Sequence, residues 1–99
     1  MKVYLVCNAA MSTGIMQMKL EEEAKNRGLD YEFAAQPLVE VDSIIEDADV
    51  LLCSPQIRFA AKELQTKMGE KPVVQMSPQD FGMMNAKAVL DNVVEAVSK

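Results

Sequence analysis

The sequence predicts a three-layer α/β domain, in which helices cover both faces of an open, four-stranded, mainly parallel sheet. Short apolar runs typical of buried strands alternate along the chain with segments whose apolar residues recur at helical spacing. This alternation implies right-handed βαβ crossovers, which build parallel sheets that are covered on both faces. The length of 99 residues suits one domain over residues 1–99, with room for four strands and four helices.

The first strand and the first helix are predicted in the opening third of the chain. Residues 3–7 form a continuous apolar run and are predicted to be the first strand. A stretch of small residues follows at 8–14. Residues 15–27 carry apolar side chains on one stripe and are predicted to be a helix, which Gly28 ends as a C-cap residue.

The middle of the chain is predicted to contain two further strands. Residues 31–35 form the second strand, which ends before Pro37. The apolar positions of residues 38–47 indicate a short and irregular helix. Residues 50–53 are apolar throughout, which is typical of a strand buried on both faces.

The last third contains a helix, a strand and a second helix. Apolar residues over 57–68 fall on one helix face, and Gly69 ends that helix. Residues 73–76 are predicted to be the fourth strand, and residues 77–82 a loop. Helical spacing returns from residue 86 to the C-terminus.

The composition excludes several classes of function. The net charge of −5 disfavours an electrostatic grip on nucleic acid, so no nucleic-acid partner is expected. The chain has no histidine and two cysteines, which make a poor zinc site; neither a metal nor an organic cofactor is expected. No apolar run approaches the roughly 20 residues that span a bilayer, and the N-terminus lacks the pattern of a signal peptide. The protein is therefore expected to be cytoplasmic.

The chemistry of the chain is predicted to centre on Cys7. This residue ends the first strand and is followed by small residues and a helix, so that backbone N–H groups and the helix dipole converge there. Ser12 and Thr13 add hydroxyl donors. Such a cradle binds an oxyanion and favours a thiolate, which makes Cys7 a nucleophile placed to attack phosphorus. Cys53 lies inside an apolar run and is predicted to be a core residue.

A nucleophilic cysteine of this kind fits a protein that carries a phosphoryl group, and two other functions compete with this one. A cysteine phosphatase or arsenate reductase could use the same scaffold, but phosphatases place an arginine six residues after the cysteine, where this chain has Thr13. A phosphatase also needs an acid for its leaving group, for which Asp80 is the candidate by position. Alternatively, the protein is a non-enzymatic anion-binding module in which Cys7 is only packed.

Three segments resemble the IIB components of the sugar phosphotransferase system (PTS), in the lactose/cellobiose/diacetylchitobiose branch. The family loop C-x-A-G-M-S-T is similar to C-N-A-A-M-S-T at residues 7–13. The family segment A-D-V-x-L-L-G-P-Q-I is similar to A-D-V-L-L-C-S-P-Q-I at residues 48–57, and residues 81–85 are similar to a further segment before the last helix. Ala10 and Ser54 stand where the family has glycine.

The resemblance implies a fold similar to that of the low-molecular-weight tyrosine phosphatases. It implies that Cys7 accepts a phosphoryl group from a phosphohistidine on a IIA protein. Cys7 then donates it to a sugar, a β-linked disaccharide such as cellobiose, chitobiose or lactose, presented by a membrane-embedded IIC permease with which the protein associates peripherally. Pro55 and Gln56 are expected to shape the rim and to contact a partner. The residues expected to bind the phosphoryl oxygens are Asn8, Ala9, Ala10, Met11, Ser12 and Thr13.

Overall fold

Four parallel strands form the sheet of the described chain. The computed structural model describes residues 1–8 and 10–98, of which residues 10–12 are described by their backbone alone. The sheet order is β2-β1-β3-β4, so that β1 and β3 are the central strands. The strands are β1 (Lys2–Cys7), β2 (Glu32–Pro37), β3 (Val50–Cys53) and β4 (Val73–Gln75).

Helices and 3-10 segments connect the strands. Two 3-10 segments follow strands directly, Leu38–Ser43 after β2 and Pro55–Ala60 after β3. The α-helices are α1 (Ala10–Asn26), α2 (Ala61–Met68), α3 (Pro78–Gly82) and α4 (Ala86–Val97). Among the described residues, no helix is long and apolar enough to cross a bilayer.

Each face of the sheet packs against its own helices. Leu5 and Leu52 point to one face, where they pack with residues of α1 and α4 such as Leu20 and Leu90. We call this the α1 face. Val6 points to the other face, where α2 and the two 3-10 segments pack. Because successive strand residues point to opposite faces, the continuous apolar runs of β1 and β3 supply both cores.

The predicted fold class is confirmed, with small corrections at the strand ends. β2 begins at Glu32 and continues through Pro37, because it pairs with β1 in register from Lys2 to Cys7. β4 ends at Gln75 instead of residue 76. The face predicted over 57–68 is buried as expected, but its first residues belong to the 3-10 segment that precedes α2. Within that segment the backbone angles of Ile57 (φ −116°, ψ 21°) are not helical.

Two segments predicted as loops contain helix. The helix α1 starts at Ala10, five residues before the predicted start at residue 15. Alanine and methionine are strong helix formers, and alanine favours a helix by about 1 kcal/mol over the glycine of the family pattern at that position. The predicted loop at 77–82 holds α3, because the Ser77 side chain caps it by accepting a hydrogen bond from the Asp80 N–H (3.0 Å) and Pro78 occupies its first position.

Candidate active site

Cys7 lies at the carboxyl edge of the sheet, between its two neighbouring strands. It aligns with Pro37 of β2 on one side. On the other side Val6 aligns with Cys53, and the Ser54 N–H donates to the Val6 carbonyl oxygen at 3.0 Å. Ser54, the first residue after β3, is therefore aligned with Cys7 in the register of the two strands. Ligands bind at this edge in open parallel sheets. The position of Cys7 at this edge is the one that the sequence predicts.

The Cys7 side chain is directed to the α1 face. Its neighbour Val6 packs in the opposite core, and Leu5 in the core of the α1 face, so the alternation of the strand sets the direction of Cys7. Cys7 is fully buried. The thiol therefore does not lie on the open surface.

The N-terminus of α1 supplies the electrostatic character of the site. A helix that begins at Ala10 leaves the N–H groups of its first residues without intrahelical acceptors, and the dipole of its 17 residues places partial positive charge there. No acidic residue occupies this first turn. Thr13 is fully buried and continues the stripe of Met16 and Leu20 that faces the sheet. The arrangement suits a tetrahedral anion.

The structure describes only some of the residues that are predicted to bind the phosphoryl group. Asn8 is exposed and directly follows Cys7, while Thr13 is buried in the first turn of α1. Ala9 lies outside the described residues, as do the side chains of Ala10, Met11 and Ser12.

The predicted rim residues lie at the same edge of the sheet. Pro55 is half-buried and Gln56 is exposed, both in the 3-10 segment that follows Ser54. Asp80, the candidate acid of a phosphatase, lies in the first turn of α3, beyond the end of β4. Ile57 is fully buried and cannot contact a partner, whereas Phe59 is 74% exposed.

Cys53 has the core environment that the sequence predicts. It is fully buried on the face opposite Cys7 and packs among apolar residues. Burial raises the pKa of the Cys53 thiol to about 11, because a charged thiolate would lose its hydration there. Cys53 therefore stays a neutral thiol at physiological pH and makes a poor nucleophile.

Ser54 has a property that sequence reasoning missed. Its side chain is 1% exposed, and its Oγ has no hydrogen-bond partner among the described residues. The only signal in the sequence is a polar residue where the resembled family has glycine. The described residues contain no group of three or more Cys, Asp or Glu side chains that could bind a metal ion.

The fold places the chain in a known structural class. A solved lactose-specific IIB domain of the phosphoenolpyruvate:carbohydrate phosphotransferase system from Streptococcus pneumoniae superimposes with a TM-score of 0.80, covering 93% of this chain and 96% of that domain. The sequence identity is 16%, so this likeness concerns the fold alone. The protein has the four-stranded α/β fold of PTS IIB domains, which is similar to that of the low-molecular-weight phosphatases.

Sequence similarity then identifies the family. The family model "PTS system, Lactose/Cellobiose specific IIB subunit" matches residues 2–92. A cellobiose-specific EIIB component of Lactococcus lactis subsp. lactis is 33% identical over 95 residues, which span 89% of this chain and 88% of the relative. A solved cellobiose-specific IIB protein from Borrelia burgdorferi is 31% identical, with a TM-score of 0.77, covering 97% of this chain and 90% of that one. The chain belongs to the PTS lactose/cellobiose-specific IIB family, whose members are phosphotransferases.

Proposed function

We propose that residues 1–99 form a single cytoplasmic phosphocarrier domain in which Cys7 carries the phosphoryl group. The observation that carries this proposal is the position of Cys7. It ends a central strand at the ligand-binding edge of the sheet and is directed to the face covered by α1, whose N-terminus lies three residues further on.

Cys7 accepts the phosphoryl group from a phosphohistidine on a IIA protein. The Sγ attacks phosphorus and an S–P bond forms. The N–P bond of the donor breaks, its electron pair returns to the imidazole nitrogen, and that nitrogen takes the thiol proton. No redox change or cofactor is involved. The N–H groups at the start of α1 stabilise charge on the phosphoryl oxygens during transfer.

The second transfer passes the phosphoryl group to a sugar held by the membrane-embedded IIC protein, with which the domain associates peripherally. A sugar hydroxyl oxygen attacks phosphorus, the S–P bond breaks with its electron pair returning to Sγ, and the hydroxyl proton passes to the sulfur. The relatives named for cellobiose indicate a β-linked disaccharide as the substrate, and chitobiose and lactose belong to the same class.

The docking surface for the partners surrounds the carboxyl edge of the sheet. Phe59 and Val39 are 74% and 87% exposed, and they line one groove between the two 3-10 segments. Gln56 is exposed at the rim of the site in the same region. Because Cys7 is fully buried, docking must expose its Sγ before phosphorus and sulfur can meet. A small interface of this kind suits a carrier that must release its partners quickly.

The proposal is tested by intact-mass measurement after incubation with a phosphorylated IIA protein. The expected result is one stable phosphoryl group, located on Cys7 by peptide mapping. A phosphatase would release free phosphate continuously, a function that the buried Thr13 in place of the catalytic arginine disfavours. A packed anion-binding module would take up no phosphoryl group at all, and either result contradicts the carrier.

A further inference from the structure

Ser54 combines a satisfied backbone with an unsatisfied side chain. Its N–H donates to the Val6 carbonyl oxygen at 3.0 Å, and its carbonyl oxygen accepts from the Ile57 N–H at 3.1 Å. Its Oγ is buried without a hydrogen-bond partner in the described part of the chain. Buried polar side chains nearly always have a partner, so an exception in a native fold calls for a physical explanation.

The geometry directs this hydroxyl to the same side of the sheet as Cys7. Ser54 has extended backbone angles (φ −69°, ψ 157°), so it continues the alternation of β3. Leu52 points to the α1 face and Cys53 to the opposite face, which returns Ser54 to the α1 face. Cys7 follows the same rule on β1. Ser54 directly follows β3, and the register of β1 and β3 aligns it with Cys7 at the usual strand spacing of about 4.8 Å. The two side chains are therefore directed to the same face.

A phosphoryl group on Cys7 would supply the missing partner. It brings three strongly accepting oxygens and a double negative charge to this position. In the unphosphorylated protein the neighbouring residue on β1 carries a thiol, which is a weak acceptor. A hydroxyl donor that is already buried and oriented needs little reorganisation when the charge arrives.

We propose that Ser54 is a phosphoryl-binding residue whose Oγ donates a hydrogen bond to a phosphoryl oxygen on Cys7. This inference rests on the proposed function, since it requires the phosphoryl group to reside on Cys7. Ser54 then stabilises the phosphorylated form of the protein relative to the phosphorylated donor. The glycine of the resembled family pattern has no side chain to make this contact.

The test compares the wild-type protein with Ser54→Ala. Each is mixed with radioactively phosphorylated IIA protein, and the label is allowed to equilibrate between the two proteins. Loss of a hydrogen bond to a charged group lowers the equilibrium constant for phosphorylation by about tenfold to a hundredfold. The matched control is Ser98→Ala, because the Ser98 hydroxyl already donates to the Val94 carbonyl oxygen at 2.7 Å and lies at the far end of α4. Its equilibrium constant should equal that of the wild type.

Thermal melts separate phosphoryl binding from a structural role. The unphosphorylated Ser54→Ala protein should melt no lower than the wild type, because the substitution removes a buried hydroxyl that has no hydrogen-bond partner among the described residues. A lower melting temperature in that form would show that the hydroxyl is structural and would overturn the inference. The inference would also be overturned if the wild type is labelled on Cys7 and the Ser54→Ala protein has the same equilibrium constant for phosphorylation. If the wild type takes no label on Cys7, the proposed function fails, and the inference fails with it.

Discussion

At the scale of single residues, the two cysteines share burial but differ in their surroundings. Cys53 packs in an apolar core, where desolvation raises the pKa of its thiol to about 11. Cys7 lies at the end of β1 beside the N-terminus of α1, where backbone donors and the helix dipole favour negative charge. The same side chain thus packs in an apolar core in one place and lies beside a helix N-terminus in the other, where we propose that it carries the phosphoryl group.

Serine substitutions should separate these roles. The Cys7→Ser protein should fold, since a hydroxyl finds donors near α1, yet accept no stable phosphoryl group, because a hydroxyl is far less acidic than a thiol. The Cys53→Ser protein should accept the phosphoryl group but lose about 1–3 kcal/mol of stability, since its hydroxyl enters an apolar core. Phosphate labelling and thermal melts measure both effects. Full labelling of Cys7→Ser would refute Cys7 as the carrier.

The raised pKa of Cys53 also predicts how stability depends on pH. The folded protein holds the thiol proton up to about pH 11, whereas the unfolded chain releases it near its ordinary value of 9.0. The folded state therefore binds more protons in between, and the free energy of unfolding falls as pH rises from about 9 to about 11, by at most about 3 kcal/mol.

Urea titrations across this pH range measure the effect, and Cys53→Ala is the control. The pKa of Tyr4 is also raised, mainly by its hydrogen bond to Asp47, so Tyr4 contributes to the same fall in both proteins. The difference between the two proteins isolates Cys53. A slope that is equally steep in Cys53→Ala would contradict the assignment.

At the scale of elements, side-chain caps decide where the last two helices begin. Ser77 caps α3, and the Asn85 side chain caps α4 by accepting from the Ala88 N–H at 3.2 Å. These caps place the start of α4 directly after α3. The residues on α4 that cover the sheet, Val89 and Leu90 among them, depend on this start for their register.

Removing the cap of α4 should lower stability without changing the site. Asn85→Ala is expected to cost about 1 kcal/mol, because an N–H of the first turn loses its acceptor. Asn85→Asp retains an acceptor and should cost little. The matched control is Asn92→Ala, an exposed position within the same helix, where alanine is the better helix former. Urea denaturation gives the free energies, and equal losses in the two alanine variants would argue against the cap.

At the scale of the whole molecule, the carboxyl edge of the sheet combines the proposed chemistry with an exposed apolar surface. Phe59→Ala should weaken productive docking of the IIA protein and raise KM for phosphoryl transfer by about 5- to 30-fold, with little change in kcat. Met18→Ala is the control, since Met18 is 68% exposed on α1, away from this edge. Steady-state transfer at varied IIA concentration gives both constants. An equal change in the two variants would remove Phe59 from the docking surface.

The sequence by itself determined the fold class, the existence of every strand, the buried face of each long helix and the position of Cys7 at a strand end. These features follow from local periodicity, which neighbouring residues set among themselves. It also indicated that Cys53 is a core residue, because the surrounding run is apolar.

Only the tertiary structure decided the sheet order and the environment of Ser54. Sheet order depends on which distant strands pair, and periodicity within one strand does not specify its neighbours. Ser54 reads as an ordinary polar residue beside Pro55 in the sequence. Its hydroxyl is buried with no hydrogen-bond partner among the described residues, and no local pattern carries that information.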